Sequence, residues 1–122
     1  MAIDFDANTP IYQQLINRLS SEIIRGNRKM GDKLPSVREY AVEAGVNANT
    51  VQRVYRELEM MEIVKTKRGQ GTFVTDNQHR LKQLREDMKL ELIEQFIRDM
   101  KEMGYSMEEM IEGIQLEESE KQ

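Results

Sequence analysis

The sequence predicts a mainly α-helical fold with one small β-hairpin, arranged in two parts. Two amphipathic helical patterns are separated by a tight turn at Gly45, which is typical of a helix-turn-helix. Two β-rich stretches, residues 63–67 and 72–75, then flank a short loop that contains two glycines. Together these observations predict a winged helix-turn-helix in residues 1–76, followed by a short two-helix tail in residues 77–122.

The first helix is expected to begin at Pro10, which suits a first helical position, and to reach Arg25. Thr9 is its predicted N-cap. Residues 1–8 form a short polar arm with a strand-like alternation, to which no function is assigned. We interpret the helix as a scaffold and expect Tyr12 to lie in the core. The residues predicted to face inward are Ile11, Tyr12, Leu15, Ile16, Leu19, Ile23 and Ile24.

Capping signals predict the second and third helices. Ser36 and Glu39 have the spacing of a capping box, and Gly45 can take the positive φ that ends a helix. Asn47 is a good N-cap for the third helix, which is expected to reach about Glu59. The residues predicted to face inward are Val37, Tyr40 and Ala41 in the second helix and Val51, Val54, Tyr55 and Leu58 in the third.

The outward side of the third helix carries side chains that can read DNA. Asparagine and glutamine make bidentate contacts with adenine in the major groove. The outward residues at the start of this helix are Asn47, Asn49, Thr50, Gln52 and Arg53. For this helix taken alone, a polar face that is merely solvated explains the pattern equally well.

The predicted hairpin favours the DNA-binding interpretation. Its loop, residues 68–71, contains two glycines that let the backbone approach another molecule closely. Lys65, Lys67 and Arg68 place positive charge on the same projection. A hairpin with a basic tip suits phosphates or the minor groove.

Three segments, residues 31–39, 45–51 and 68–74, occur in an order and spacing that resemble the GntR family of bacterial repressors. The resemblance covers residues 9–76, and the small helical remainder is similar to the tail of the YtrA subfamily. It implies DNA contacts by Arg38, Asn47, Asn49, Thr50, Gln52 and Gly69. The outward helix face and the basic wing add Arg53, Lys67, Arg68 and Gln70 to the predicted contacts.

Two positions depart from the family pattern. Many relatives have arginine where this chain has Ala48, so one base contact is missing and the operator of a relative does not carry over. Many relatives have glycine where this chain has Glu62. Because a side chain disfavours left-handed backbone, we expect a tight left-handed helix end to be less favourable here.

The tail has the pattern of a long amphipathic helix over residues 77–103, followed by a break at Gly104. Ser106 and Glu109 form a second predicted capping box, and residues 117–122 are expected to fray. A small winged domain cannot cover the whole apolar stripe, so a second copy of the chain is the expected partner. The predicted dimer interface is Leu81, Leu84, Met88, Leu92, Phe96, Met100 and Met103.

Composition excludes several classes of protein. The chain has no cysteine, and its one histidine, His79, lies among polar residues, so no catalytic or metal site is expected. No targeting signal or membrane span is predicted, which fits a cytoplasmic protein. Residues 1–76 hold 11 Lys and Arg against 10 Asp and Glu, whereas residues 77–122 hold 7 against 12. Affinity for DNA must therefore depend on the local placement of basic side chains. These are Arg25, Arg28, Lys29, Lys33, Arg38, Arg53, Lys65, Lys67 and Arg68.

The predicted function is that of a DNA-binding transcriptional regulator, a repressor that binds a palindromic operator as a homodimer. The resemblance suggests control of its own operon, often beside genes for an ABC transporter. The alternative is a protein–protein adaptor that uses the winged helix only as a scaffold. No cofactor is expected, and the sequence does not identify a small-molecule effector. A tail of this size is expected to be too small to enclose a pocket, so an effector is expected between subunits or between tail and winged domain.

Overall fold

The computed structural model of the chain describes residues 3–121. That part contains five helices and one two-stranded antiparallel sheet. In chain order the elements are α1 (Ile11–Ile24), α2 (Val37–Ala44), α3 (Ala48–Met60), β1 (Val64–Lys67), β2 (Gly71–Val74), α4 (Gln78–Glu102) and α5 (Met107–Glu120). The predicted mainly helical fold with a hairpin wing is confirmed. Residues 1, 2 and 122, which belong to the predicted arm and the predicted frayed end, lie outside the described residues.

The chain divides into two compact units, the first ending at Leu84 and the second beginning at Arg85. This boundary lies inside α4, whereas the sequence-based boundary follows the hairpin at residue 76. The first turns of α4 belong to the first unit, where Leu84 is buried and Arg80 Nε donates a 2.8 Å hydrogen bond to the Met61 carbonyl. The functional division predicted for the two parts of the chain stays a prediction.

The core of the first unit is formed by α1, α2, α3 and the hairpin. Its buried apolar residues include Leu15, Ile16, Leu19, Ile23, Leu34, Tyr40, Ala41, Ala44, Val51, Val54, Tyr55, Leu58, Ile63, Val64 and Val74. The rings of Tyr40 and Tyr55 lie 6.2 Å apart, and the Tyr55 hydroxyl donates to the Pro35 carbonyl. Burial raises the pKa of Tyr40 to about 12 and raises the pKa of Tyr55 as well, so both stay neutral and suited to a core.

The start of α1 differs from the prediction. The helix begins at Ile11, which is exposed rather than inward-facing, and Pro10 precedes it as an N-cap without a side-chain hydrogen bond. Thr9 is therefore not a side-chain cap. Instead, the Gln14 amide nitrogen donates to the carbonyls of Thr9 and Asp6 at 2.6 and 2.7 Å, and the Asp6 N–H donates back to Gln14. These bonds hold the described part of the arm against α1, and no strand forms there.

The predicted capping signals of α2 and α3 are confirmed. Ser36 and Glu39 form both hydrogen bonds of a capping box, which lower the pKa of the Glu39 carboxyl. Gly45 ends α2 at φ 74°, in the left-handed region. Asn47 caps α3 through its side chain. At the other end of α3, Glu62 adopts φ 64°, so the left-handed turn forms even though this position lacks glycine.

The hairpin is tighter than predicted. Lys67 pairs with Gly71, so Gly71 lies in β2 and the loop consists of residues 68–70. The segment before α2 also joins the hairpin edge, because the Leu34 N–H donates to the Thr72 carbonyl and Lys33 forms a bridge with Phe73. This extra pairing, which the sequence pattern did not indicate, brings Lys33 to the wing.

The second unit consists of the remainder of α4 and of α5. Gly104 separates the helices at φ 93°, and the capping box of Ser106 and Glu109 is confirmed. Helix α5 continues to Glu120, so the predicted fraying from residue 117 is wrong. Among the described residues, no helix is both long and apolar enough to cross a membrane.

Candidate nucleic-acid interface

The start of α3 presents a polar surface to solvent. Its apolar stripe packs into the core, so the opposite side must point outward. Of the predicted contact residues on this helix, Asn47, Asn49, Gln52 and Arg53 are exposed and Thr50 is half-buried. Ala48 lies among them and is also exposed.

Asn47 has a structural role beside its predicted contact. Its Oδ1 accepts a 2.7 Å hydrogen bond from the backbone N–H of Asn49. A bidentate contact with adenine needs both the oxygen and the nitrogen of an amide, so the capping bond leaves Asn47 chiefly its amide donors. Within residues 3–121, the side chains of Asn49 and Gln52 make no hydrogen bond. These two residues are therefore the best placed for bidentate readout.

Arg38 lies in the first turn of α2, between the two residues of the capping box. Its side chain is exposed and forms no ion pair with any described residue. The capping box holds the helix start in place, and Arg38 therefore projects from a fixed backbone. An exposed guanidinium of this kind presents all its N–H donors to solvent or to a phosphate.

The wing places three lysines on one side of the sheet. Lys65 on β1 and Lys33 in the segment before α2 lie directly opposite Phe73 on its two sides, so their side chains share one face with the Phe73 ring. Lys67, two residues after Lys65, points to the same side, and its Nζ lies 4.8 Å from the ring centroid. The Phe73 side of the hairpin thus carries three positive charges that a phosphate can neutralise.

The glycines of the wing have separate roles. Gly69 sits at the loop tip at φ 77°, which a residue with a side chain rarely adopts. Gly71 has φ 123°, and an added Cβ would lie 2.7 Å from Lys33 Cε. The Lys33 side chain therefore crosses Gly71 along the wing. The sequence indicates Lys33 only as one of the basic residues that support DNA affinity, and the close approach at Gly71 is the feature that places it at the wing. Arg68 and Gln70, the other predicted tip contacts, are exposed.

Comparison with known proteins identifies this arrangement. The family model described as "Bacterial regulatory proteins, gntR family" matches residues 11–74. The chain belongs to the GntR family. It is 44% identical over 110 residues to the uncharacterized regulator YhcF of Bacillus subtilis, covering 90% of this chain and 91% of YhcF. It is 40% identical over 113 residues to the repressor YtrA of the same species, covering 92% of this chain and 87% of YtrA.

A solved GntR family transcriptional regulator from Listeria monocytogenes has a TM-score of 0.85 to this chain at 41% identity. The match covers 91% of this chain and 97% of that one, so it extends beyond the winged unit. The predicted family and its YtrA-like subfamily are confirmed, and with them DNA binding and transcription regulation. Both relatives are named as transcriptional regulators. Among the described residues, no group of three or more acidic or histidine side chains is placed to hold a metal.

The tail of this GntR protein leaves much apolar surface open. An open groove of about 500 Å³ lies between α4 and α5 within the second unit. It is lined by Leu92, Ile93, Phe96, Ile97, Met107, Met110, Ile111 and Ile114. The tail thus forms a concave apolar surface by itself, and this surface is open rather than an enclosed pocket.

The predicted dimer residues have different environments. Leu84 is buried in the first unit, so its burial requires no second subunit. Leu81, Met88 and Met100 are half-buried, whereas Leu92, Phe96 and Met103 are exposed. The last three are therefore the members of the predicted interface that most need a partner to cover them.

Proposed function

We propose that this protein is a transcriptional repressor that binds a palindromic operator as a homodimer. The observation that carries the proposal is the start of α3, where Asn49 and Gln52 are exposed while the opposite side of the helix is buried. A helix held in this way can enter the major groove without rearrangement of the core. Arg38 and the wing would then contact phosphates on either side of the base-reading residues.

The repressor assignment draws support from the relative YtrA, which is named as a repressor. The subfamily resemblance suggests that the regulated operon encodes an ABC transporter. The exposed apolar surface of the tail supports the homodimer, because two-fold pairing would cover it. Pairing would also set two recognition helices about one DNA turn, or a small multiple of it, apart. A protein that binds an operator in the genome of a bacterium would act in the cytoplasm.

The experiment is a genomic selection with the full-length protein. Fragmented genomic DNA from the encoding organism is incubated with immobilised protein at physiological salt, and the retained fragments are sequenced. We expect enrichment of one or a few sites that contain an inverted repeat. If no fragment is enriched, the repressor proposal fails and the adaptor alternative is favoured.

Two substitutions in α3 test the base-reading role. Asn49→Ala and Gln52→Ala should each weaken binding to the enriched fragment by about 1–3 kcal/mol, because each removes a base-edge contact. Melting temperatures should not change, since neither side chain is buried. Glu59→Ala, on an exposed position near the other end of α3, is the control and should bind normally. A loss of stability that matches the loss of affinity would make these residues structural.

A further inference from the structure

Arg53 is held by a residue from another helix. Its guanidinium carbon lies 3.6 Å from the centroid of the Tyr12 ring, in the first turn of α1. This is within the range of a close cation–π contact. Tyr12 is half-buried and does not belong to the buried core, so the prediction that it is a core aromatic is wrong. Its ring lies against a predicted DNA contact instead.

The geometry of the stack leaves Arg53 available to a ligand. A guanidinium that lies on an aromatic ring uses its flat face, and its five N–H donors remain around the edge. Within residues 3–121, Arg53 forms no ion pair with a carboxylate. The ring therefore restricts the side chain without neutralising its charge or occupying its donors.

The position of Arg53 favours phosphate over a base. Arg53 follows Gln52, so it is rotated by about 100° around the helix axis from that base-reading position. The rotation turns it toward α1, where Tyr12 holds it. A side chain that leans on a neighbouring helix is directed to the edge of the recognition surface, where a DNA backbone would run rather than the base edges.

We propose that Tyr12 is a positioning residue for DNA binding, which holds Arg53 so that its guanidinium edge donates to a DNA phosphate. This inference rests on the proposed function, because it assumes that α3 enters the groove. Arginine has several rotatable bonds, and ordering it on binding opposes association. The stack orders it beforehand in the free protein. Tyr12 thus contributes to affinity without a contact of its own.

The test is a double-mutant cycle on the full-length protein with two probes, a mixed-sequence duplex and the genomic fragment selected above. Arg53→Gln should weaken binding to both probes alike and reduce the slope of log affinity against log salt by about 0.9, the change expected when one phosphate is no longer neutralised. Tyr12→Leu should weaken binding by about two- to fivefold, the amount expected for an exposed cation–π contact. Tyr12→Phe should bind like the wild type, because the ring remains.

In the Arg53→Gln background, Tyr12→Leu should have no further effect, because the group that it positions is already gone. Lys101→Gln, which removes one exposed charge in the tail, is the control and should leave the salt slope unchanged. The free protein supplies a second readout. The ring current should shift the Arg53 Nε–H proton resonance upfield in the wild type and in Tyr12→Phe, and Tyr12→Leu should abolish the shift.

Several results would overturn the inference. If Tyr12→Phe binds as weakly as Tyr12→Leu, the hydroxyl contacts DNA itself. If Tyr12→Leu has the same effect in both backgrounds, or lowers the melting temperature together with affinity, its role is independent of Arg53. If Arg53→Gln leaves affinity and salt slope unchanged, there is no contact to position. A wild type that binds neither probe would instead contradict the proposed function.

Discussion

The two units of this chain differ in how completely they bury their own apolar residues. In the winged unit, α3 buries all four residues of its predicted stripe, and α1 buries most of its own. In the tail, α5 buries only Met110 and leaves Ile111, Ile114 and Leu116 exposed. The first unit therefore has a well-buried core of its own, whereas the second leaves a larger share of its apolar residues exposed, as is typical of a surface that binds another molecule.

The two parts of the chain also differ in their net charge. The acidic excess of the chain lies in residues 77–122, whereas the winged part is nearly neutral but gathers Lys33, Lys65 and Lys67 on one side of the hairpin. An acidic tail disfavours DNA, and an apolar one favours association with a protein. This difference supports the proposal that one unit binds the operator and the other joins the subunits.

The largest effect is expected from Phe96→Glu in the tail. Phe96 is 40% exposed, and in the proposed dimer the substitution would bury an unpaired carboxylate. We expect a monomer in analytical ultracentrifugation and a loss of operator affinity of about 10²–10⁴-fold, because the second half-site is no longer bound intramolecularly. The melting of the winged unit should be unchanged.

Leu90→Glu is the matched control for this experiment. Leu90 lies on the same helix and is 51% exposed, but it belongs neither to the groove nor to the predicted interface. This variant should remain dimeric. If the wild type sediments as a monomer at micromolar concentration, the proposal that the tail joins two subunits is contradicted. The proposal is also contradicted if the tail of the Phe96→Glu variant unfolds, since the apolar stripe would then pack only within its own subunit.

A pair of leucine truncations sharpens the comparison. Leu58 in α3 is 0% exposed, so Leu58→Ala should lower the free energy of unfolding of the winged unit by about 2–5 kcal/mol. Leu92 in α4 is 71% exposed, so Leu92→Ala should leave the monomer equally stable and weaken only the dimer. Thermal melts at several protein concentrations separate the two effects, because only the dimer contribution depends on concentration. Equal destabilisation of the monomer by both changes would contradict the comparison.

Local signals in the sequence predicted much of the winged unit. The capping box at Ser36, the left-handed Gly45 and the Asn47 cap depend on residues within four positions of one another, and all three are confirmed. What the sequence did not reveal depends on contacts between distant segments. Lys33 reaches the wing because its segment pairs with β2, and Tyr12 on α1 contacts Arg53 on α3. Periodicity shows that a residue lies on a helix face, but it does not show which neighbour that face meets.

The wing offers a test of charge placement that depends on neither dimer nor operator. Lys67→Gln with Arg68→Gln should weaken binding to all duplexes about equally and reduce the salt slope by about 0.9 for each phosphate that the variant no longer neutralises. The same double change at Arg98 and Lys101 in the tail removes as much charge and should leave the slope unchanged. Binding titrations between low and physiological salt give both slopes. Equal changes in both variants would mean that net charge rather than the wing determines affinity.

The smallest effect on stability is expected at the end of α3, where the backbone of the winged unit is strained. Glu62 has φ 64°, a conformation that disfavours a side chain by about 1–2 kcal/mol. Glycine removes this strain but has more freedom in the unfolded chain, which offsets about 0.5–1 kcal/mol. Glu62→Gly should therefore stabilise the winged unit by about 0.5–1 kcal/mol, measured as a small rise in melting temperature.

Glu59→Gly, the same substitution three residues earlier, should destabilise the winged unit instead. Glu59 lies within α3, where glycine is less favourable than other residues by up to about 1 kcal/mol. A stabilising Glu62→Gly and a destabilising Glu59→Gly together would show that backbone conformation, not loss of a carboxylate, decides the outcome. If both variants are destabilised, the Glu62 side chain makes a contribution that exceeds its strain. The end of α3 would then be held by that carboxylate as well as by the turn.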